Sequence, residues 1–205
     1  MQKNITVSKV PSACQTTDLD IPSGSTVFCD MDGTLVDTDD ANFLAYRKAV
    51  QEATHGRCVL EPTGVRFNRE RLKEQLPSLT SRELHVITTL KAEYFGDFLE
   101  NTRLNTRLAE LVVKHRPQCE IILVSGCREE RVAQVLKYHN VYKNFARFIC
   151  REVLLDSDPS RKYETAVELT RVNPTIVFVF ENDEVEAKNA EHAGIPRKNI
   201  FSSQF

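Results

Sequence analysis

The sequence predicts an α/β fold: a Rossmann-like parallel sheet with helices on both faces, and a small helical cap inserted after the first strand. In the second half of the chain, short apolar strands alternate with helical segments, which favours parallel strands joined by right-handed crossovers. Between residues 39 and 101, apolar residues recur at helical spacing instead. We therefore expect residues 1–24 to form an N-terminal arm, 25–38 and 102–205 the core, and 39–101 the cap.

The length and the net charge of the chain limit the classes of protein to which it can belong. The 205 residues suffice for one domain with a modest insertion, and 27 Lys and Arg against 29 Asp and Glu give a net charge of −2, with no global basic excess for nucleic acid. No apolar run approaches the length of a membrane span, and the first residues lack the apolar core of a signal peptide. We expect a cytoplasmic monomer or homodimer that acts on a small molecule, with neither nucleic acid nor membrane as a partner.

The first half of the chain begins with a strand and continues with three cap helices. The apolar run 25–29 is the first predicted strand. Asn68 is a candidate N-cap for a short helix that ends before Pro77, and Thr80 with Glu83 fits a capping box that opens a longer helix. The first and third cap helices are marked by apolar residues at helical spacing: Phe43, Tyr46, Val50 and Ala53, then Leu84, Ile87, Leu90, Tyr94 and Phe98.

Further strands are predicted in the second half from near-continuous Val, Ile and Phe runs, a pattern typical of strands buried on both faces. Helical segments separate these strands, and Gly194 is expected to end the last helix. The predicted strands cover residues 120–124, 148–150, 175–180 and 199–201.

Two aspartates follow the first strand. Asp30 and Asp32 stand two residues apart on an extended segment, so both side chains face the same way, and Gly33 then turns the chain. Ligands of open α/β sheets bind at the carboxyl ends of the strands, and two like charges this close are costly to bury without a cation or a catalytic role. The alternative is a solvated turn, since Asp and Gly are common turn residues.

The string D-M-D-G-T-L-V-D at residues 30–37 resembles the opening motif D-x-D-G-T-L-x-D of the haloacid dehalogenase-like hydrolases. The resemblance implies a Rossmann-like core, Mg²⁺ as cofactor, and phosphoryl transfer through a phosphoaspartate. It implies that Asp30 is the nucleophile and that Asp32 is the acid and base for the leaving alcohol and the attacking water. It also implies that both residues contribute to the metal site.

Two further positions match the family pattern. Ser125 and Gly126 follow a predicted strand, and a small hydroxyl near backbone N–H groups suits phosphate oxygens. Lys162 matches the family's cation near the start of a later helix, where it would offset phosphate charge and keep the nucleophile ionised. Its neighbour Arg161 competes for this role. The alternatives are that Ser125 and Gly126 form an ordinary turn and that Lys162 lies at a solvated helix start.

The chain departs from the family pattern after the strand 175–180. Aligned on the Ala-Gly pair that follows, Asn182 falls where a metal-binding Asp is usual, and Glu186 falls on the second acid. Asn binds Mg²⁺ through its carbonyl oxygen but adds no charge, whereas hard cations favour carboxylates. Either Asp183 or Glu181 takes the ligand role, or metal affinity is reduced. The predicted metal residues are Asp30, Asp32, Asn182 and Asp183.

These matches predict a Mg²⁺-dependent phosphatase of a small phosphorylated metabolite. A helical cap after the first motif resembles that of the phosphoglycolate phosphatase and β-phosphoglucomutase group, so a sugar-phosphate mutase is one alternative. A binding or regulatory protein on a weakened phosphatase scaffold is another, motivated by Asn182; the charge and the cap disfavour a phosphatase of nucleic-acid ends. Four cap arginines either meet a second anionic group or are solvated: Arg66, Arg69, Arg71 and Arg82.

Overall fold

Seven strands lie in the part of the chain that the structure, a computed structural model, describes: residues 19–154 and 161–202. They are β1 (Thr26–Cys29), β2 (Val36–Asp37), β3 (Arg103–Leu104), β4 (Glu120–Val124), β5 (Arg147–Ile149), β6 (Val177–Phe180) and β7 (Ile200–Phe201). Five form one sheet in the order β5-β4-β1-β6-β7, with every neighbouring pair parallel. The predicted α/β class with a Rossmann-like parallel sheet is confirmed.

Eight α-helices accompany these strands within the described residues. Three follow β2 and five alternate with the later strands, which is the connectivity that a parallel sheet requires. They are α1 (Asp39–Ala53), α2 (Arg69–Gln75), α3 (Ser81–Tyr94), α4 (Thr106–His115), α5 (Glu129–Tyr138), α6 (Arg151–Leu154), α7 (Lys162–Thr170) and α8 (Glu184–His192).

The side chains of β1 alternate between two hydrophobic cores, one on each face of the sheet. Val27 and Cys29 belong to the cluster that includes apolar residues of α4 and α5, whereas Phe28 belongs to the cluster that includes residues of α7 and α8. This alternation follows from the two-residue period of a strand. Burial on both faces explains why the strands read as continuous apolar runs.

The segment after β2 builds a third hydrophobic cluster from helices α1, α2 and α3. Asn68 caps α2 by accepting a hydrogen bond from the backbone of Arg71, as predicted. Thr80 and Glu83 form the predicted capping box of α3. The apolar stripes of these helices are therefore packing surfaces, and the buried members of the cluster are Tyr46, Ala49, Val50, Leu60, Phe67, Leu72 and Ile87.

The two connections between the sheet and the helical segment lie side by side. β2 pairs with β3 in antiparallel register, and Arg103 forms an ion pair with Asp37 across them. The backbone N–H of Asn105 also donates to the carbonyl of Leu35 at 2.8 Å. The chain therefore leaves and re-enters the core through one short two-stranded ribbon.

Two element boundaries differ from the prediction by two residues or more. The strand predicted over 175–180 begins at Val177, because Pro174–Ile176 forms a 3₁₀ turn. Helix α3 ends at Tyr94 and continues as a 3₁₀ helix, within which Phe98 has a non-helical φ of −118°. Apolar spacing predicted a strand and a helix in these places but did not distinguish the backbone conformations, and Ile176, inside the predicted strand, is exposed.

Most of the predicted arm, residues 1–18, lies outside the described residues. Its last part packs on the core: Ile21 is fully buried, and the backbone N–H of Gly24 donates to the carbonyl of Gln118 at 2.8 Å. Among the residues that the structure describes, none of the helices has the length and apolar character needed to span a membrane.

Candidate active site

Asp30 emerges from β1 in the middle of the sheet. Cys29 is in register with Leu123 of β4 and with Phe180 of β6, and the backbone N–H of Asp30 donates to the carbonyl of Phe180 at 3.0 Å. Because the strands are parallel, the residues that follow β1, β4 and β6 leave the sheet at the same edge. The sheet thereby brings together three segments that are far apart in sequence.

The turn after Asp30 requires a glycine. Gly33 has φ of +79°, a conformation that L side chains rarely adopt. A Cβ on Gly33 would also lie 2.5 Å from Nδ2 of Asn182. The carbonyl of Met31 accepts hydrogen bonds from the backbone N–H groups of Leu35 at 3.0 Å and Val36 at 2.9 Å, which closes the turn. Gly33 thus permits close contact between the first motif and the segment after β6.

Asp30 lies in a buried network with a lysine and a second carboxylate. Nζ of Lys162 donates to Oδ1 of Asp30 at 2.7 Å and to Oε2 of Glu181 at 2.8 Å. The hydroxyl of Tyr163 donates to the same Glu181 oxygen at 2.8 Å. With both carboxylates ionised, this network carries one excess negative charge away from water.

The protonation of this network reflects its burial. Burial raises the pKa of Asp30; the positive charge of Lys162 opposes that rise and the negative charge of Glu181 adds to it. For Lys162, burial alone would lower the pKa, but the two carboxylates outweigh burial and raise it. Lys162 therefore stays protonated and provides the positive charge that favours an ionised Asp30.

Asp32 is held by a different set of side chains. Arg131 Nη2 lies 3.0 Å from its Oδ1, Cys127 Sγ donates to its Oδ2 at 2.6 Å, and the Thr38 hydroxyl donates to Oδ1. Arg66 of the loop between α1 and α2 reaches both the Asp32 carboxylate, at 3.5 Å, and the Asp32 backbone carbonyl, at 3.3 Å. The segment 39–101 therefore contacts the first motif directly.

These contacts keep Asp32 ionised. Burial alone would raise the pKa of Asp32, but the cations of Arg131 and Arg66 and the two hydrogen bonds outweigh it and lower the pKa to about 2. Burial and the nearby Asp32 charge raise the pKa of Cys127 to about 12, so its thiol keeps the proton that it donates. The two aspartates of the motif are thus in contrasting environments, which is the arrangement expected for two different chemical roles.

The predicted phosphate-binding residues lie at the same edge. Ser125 is 1 % exposed, and its hydroxyl oxygen accepts a hydrogen bond from the backbone N–H of Cys127 at 3.2 Å. Gly126 is exposed, and a Cβ there would meet no atom within 4 Å. Of the two candidate cations, Lys162 reaches Asp30, whereas Arg161 forms ion pairs with Glu164 and Glu168.

The first two candidate metal ligands after β6, Asn182 and Asp183, have different partners. Asn182 Oδ1 accepts a hydrogen bond from the Thr34 hydroxyl at 2.9 Å, which fixes its side chain beside the first motif. Asp183 caps α8 by accepting from the backbone N–H groups of Val185 and Glu186, so one of its carboxylate oxygens serves the helix. Its assignment as a metal ligand stays a prediction.

The oxygen atoms that could bind a metal ion here fit a hard cation. They carry less negative charge than a set with two carboxylate ligands. Asp30, the carbonyl of Asp32 and the amide oxygen of Asn182 are all oxygen donors, and the excess negative charge around Asp30 favours a cation. Mg²⁺ commonly uses one or two carboxylates and completes its shell with water and substrate phosphate. Among the described residues, no group of three or more His, Cys, Asp or Glu side chains is arranged to hold a metal ion.

Sequence reasoning missed several residues of the site. Arg131 and Thr38 contact Asp32, but a basic residue in the first turn of a helix and a threonine before one are common on surfaces. Glu181 was considered only as a metal ligand, and the structure gives it Lys162 and Tyr163 as partners. Of the four cap arginines, Arg66 is the one that contacts Asp32.

Several solved structures share the fold of this chain. A predicted phosphoglycolate phosphatase from Haemophilus somnus superposes with a TM-score of 0.73 at 15% identity, covering 91% of this chain and 90% of its own. CbbY from Rhodobacter sphaeroides in complex with phosphate superposes with a TM-score of 0.65 at 16% identity, covering 88% of this chain and 86% of its own. A β-phosphoglucomutase from Clostridium difficile superposes with a TM-score of 0.63 at 16% identity, covering 87% of this chain and 83% of its own.

At these identities the likeness shows the fold alone. No curated protein sequence matches the chain. The sequence model of one family does match: that of the haloacid dehalogenase-like hydrolases, over residues 27–194, which include the aspartate motif, Ser125, Lys162 and Asn182. Because this match covers most of the chain, the protein belongs to the haloacid dehalogenase-like hydrolase family.

Proposed function

We propose that the protein is a phosphatase that hydrolyses a small phosphate monoester through an aspartyl phosphate on Asp30. The observation that carries this proposal is the buried contact of Lys162 with Asp30 at 2.7 Å. It keeps a carboxylate nucleophile next to a fixed positive charge at the edge of the sheet, where ligands bind. An expected cytoplasmic location and a monomeric or dimeric state belong to the same proposal.

The proposed reaction has two steps that use the same residues. Asp30 attacks phosphorus, the bond to the leaving oxygen breaks, and Asp32 supplies the proton that makes the leaving group an alcohol. In the second step Asp32 takes a proton from water, which attacks the aspartyl phosphate and releases phosphate and Asp30. Ser125, Gly126 and Lys162 hold phosphate oxygens throughout.

The four contacts on Asp32 keep it ionised for the second step, but they also weaken it as a base because they lower its pKa to about 2. Its proton-donating role requires that some of these contacts be exchanged when substrate binds. Arg66 is the partner most able to exchange, since its side chain is 49% exposed and comes from the helical segment. Closure and opening of such a segment over a site is a common way to exclude water and select the leaving group.

The proposed cofactor is Mg²⁺, with Asp30, the Asp32 carbonyl and Asn182 as the residues that would hold it and Asp183 as the further predicted ligand. When bound, it would supply positive charge between an anionic nucleophile and an anionic substrate. Lys162 provides part of that charge from the protein itself, which compensates in part for the neutral Asn182.

The test is hydrolysis of p-nitrophenyl phosphate by the purified protein with Mg²⁺ and with EDTA. We expect Asp30→Asn to reduce kcat by at least about 10³-fold, because an amide cannot form the acyl phosphate, as for loss of an essential nucleophile. The matched control is Asp40→Asn, an exposed aspartate at the start of α1, which should retain the wild-type rate. Undiminished hydrolysis by Asp30→Asn would refute the mechanism.

A second candidate function is a binding or regulatory protein that retains the fold without efficient turnover. Asn182 favours it, because it removes a charge from the proposed metal site. Absence of hydrolysis by the wild type, together with binding of inorganic phosphate that Asp30→Asn or Ser125→Ala alters, would support this candidate. Transfer of phosphate to a second hydroxyl of a sugar phosphate, instead of to water, would identify the mutase activity kept as an alternative.

A further inference from the structure

Cys127 contacts two functional groups of the candidate site at once. It lies in the segment between β4 and α5, and its Sγ donates to Oδ2 of Asp32 at 2.6 Å. Its backbone N–H donates to the hydroxyl oxygen of Ser125 at 3.2 Å. One residue therefore joins the proposed acid and base of the reaction to the proposed phosphate-binding hydroxyl.

The backbone on either side of Cys127 is fixed by the core. Its carbonyl accepts a hydrogen bond from the backbone N–H of Arg151 at 2.9 Å, at the start of α6. Its side chain is partly buried and packs against the hydrophobic cluster that includes residues of α4 and α5. A residue held at its N–H, its carbonyl and its side chain has few alternative positions. The sheet and its helices, rather than the helical segment 39–101, therefore determine where Sγ lies.

The two carboxylate oxygens of Asp32 have different surroundings. Oδ1 accepts hydrogen bonds from the Thr38 hydroxyl and from Nη2 of Arg131, the latter at 3.0 Å. Oδ2 accepts from the Cys127 thiol, and Nη2 of Arg66 lies 3.5 Å from it, beyond the usual length of a hydrogen bond. Because a carboxylate oxygen has about two lone-pair sites, donors among the described residues occupy both sites of Oδ1 and one site of Oδ2. Oδ2 is therefore the oxygen with a place for a proton.

Cys127 and Arg66 differ in how firmly they are held near Oδ2. Arg66 comes from the helical segment, its side chain is 49% exposed, and in the proposed mechanism it is exchanged when substrate binds. The Cys127 thiol belongs to the core and needs only one lone-pair site of Oδ2, so proton transfer does not require it to move. A thiol is also a weak donor, so it orients the oxygen while withdrawing little charge from it. The thiol is thus the contact that can stay in place while Oδ2 gains and loses a proton.

We propose that Cys127 is a positioning residue whose thiol orients Asp32 so that Oδ2 carries the proton in both steps. Oδ2 gives a proton to the leaving oxygen as the bond between that oxygen and phosphorus breaks, and then takes one from the attacking water. The thiol keeps its own hydrogen throughout and forms no bond to substrate. This inference rests on the proposed phosphatase function, and it predicts that the contact matters most when the leaving group needs a proton.

The test compares two esters whose leaving groups differ in their need for a proton. p-Nitrophenyl phosphate releases a phenolate that is stable without a proton, whereas propyl phosphate releases an alcohol that must be protonated as it leaves. kcat/KM reports the steps up to the aspartyl phosphate, so it isolates this difference from the second step, which both esters share. The measured quantity is the ratio of kcat/KM for propyl phosphate to kcat/KM for p-nitrophenyl phosphate.

The decisive variant is Cys127→Ala, which removes the donor and little else. It should lower this ratio by at least about tenfold, because displacement of a catalytic group by about 1 Å can cost about 10²-fold. Cys127→Ser restores a donor and should keep the ratio close to the wild-type value. The matched control is Cys119→Ala, which removes a buried thiol just before β4, at the opposite end of that strand, and should not change the ratio. An unchanged ratio in Cys127→Ala, whether both rates are kept or both fall, would overturn the proposal.

An infrared measurement separates failure of this inference from failure of the proposed function, because it needs no turnover. The S–H stretching band of Cys127 is obtained as the difference between wild type and Cys127→Ser, and its frequency falls as the hydrogen bond of the thiol strengthens. Asp32→Asn replaces the carboxylate by a weaker acceptor, so we expect the Cys127 band to rise in frequency and the Cys119 band to stay. If the wild type hydrolyses neither ester, the phosphatase proposal fails, and this band alone decides whether the thiol holds Asp32. A Cys127 band that Asp32→Asn does not shift refutes the inference, with or without hydrolysis.

Discussion

At the scale of single residues, the site depends on short contacts between segments that leave the side chains little conformational freedom. Gly33 lets the first motif pass against Asn182, and the Thr34 hydroxyl then fixes the Asn182 amide. The two aspartates of the motif have different cationic partners. Asp30 is paired with the buried ammonium of Lys162, and Asp32 is paired with guanidinium groups, among them that of Arg131. This difference gives Asp30 and Asp32 different protonation behaviour although they are only two residues apart.

Asn182 is the residue whose substitution tests the proposed metal site. Asn182→Asp adds a second carboxylate, so we expect the apparent Mg²⁺ affinity to rise by roughly tenfold or more, since ligand charge tunes affinity for divalent cations. The measurements are the Mg²⁺ dependence of p-nitrophenyl phosphate hydrolysis and of the unfolding temperature, because a ligand bound only by the folded state stabilises it.

The control for this prediction is Asn68→Asp, because Asp is as good an N-cap as Asn and position 68 lies on a cap helix. It should leave the Mg²⁺ dependence unchanged. An Asn182→Asp protein with wild-type Mg²⁺ affinity would show that position 182 is not part of a metal site.

At the scale of elements, local signals determine where the cap helices begin. The capping box of α3 joins the Thr80 hydroxyl to the backbone N–H of Glu83 and the Glu83 carboxylate to the backbone N–H of Thr80. Both residues were predicted from sequence because the pattern is local.

Thr80→Ala should therefore lower the free energy of unfolding by about 1 kcal/mol, the usual cost of losing an N-cap. Urea denaturation followed by circular dichroism measures the change. The matched control is Thr89→Ala in the same helix, where Ala has the higher helix propensity, so stability should stay the same or rise slightly. Equal losses in the two variants would contradict the role assigned to the capping box.

At the scale of the whole molecule, the sheet edge brings opposite charges from β1, α7 and β6 into a dry environment. Asp30, Lys162 and Glu181 are 6 %, 6 % and 2 % exposed. Removing one partner from such a group costs about 3–5 kcal/mol, because the remaining charges stay buried without compensation. The buried charges of the candidate active site therefore contribute to the pH dependence of the free energy of unfolding.

Lys162→Met should show this directly. It leaves Asp30 buried beside Glu181 without the ammonium group that opposes the rise of its pKa, so the folded-state pKa of Asp30 then lies further above that of the unfolded chain. The folded state binds more protons, so the destabilisation relative to wild type should be larger at pH 8 than at pH 5, where protonation relieves the repulsion.

Urea denaturation of wild type and variant at both pH values measures the difference. The control is Lys48→Met, which removes an exposed lysine paired with Asp97 and should cost at most about 1 kcal/mol at either pH. A destabilisation by Lys162→Met that does not depend on pH would show that the two carboxylates are not coupled to the lysine.

The sequence by itself determined the fold class, the order of the five sheet strands and of the longer helices along the chain, the caps of α2 and α3, and the candidates Asp30, Ser125 and Lys162, because these depend on local spacing and on motifs at strand ends. Only the tertiary structure decided that Glu181 joins Lys162, that Arg131 and Arg66 hold Asp32, and that Asp183 caps a helix. The reason is physical: the side chains that hold Asp32 come from up to 99 residues away in sequence, and charge pairing across a buried sheet edge has no signature in local sequence.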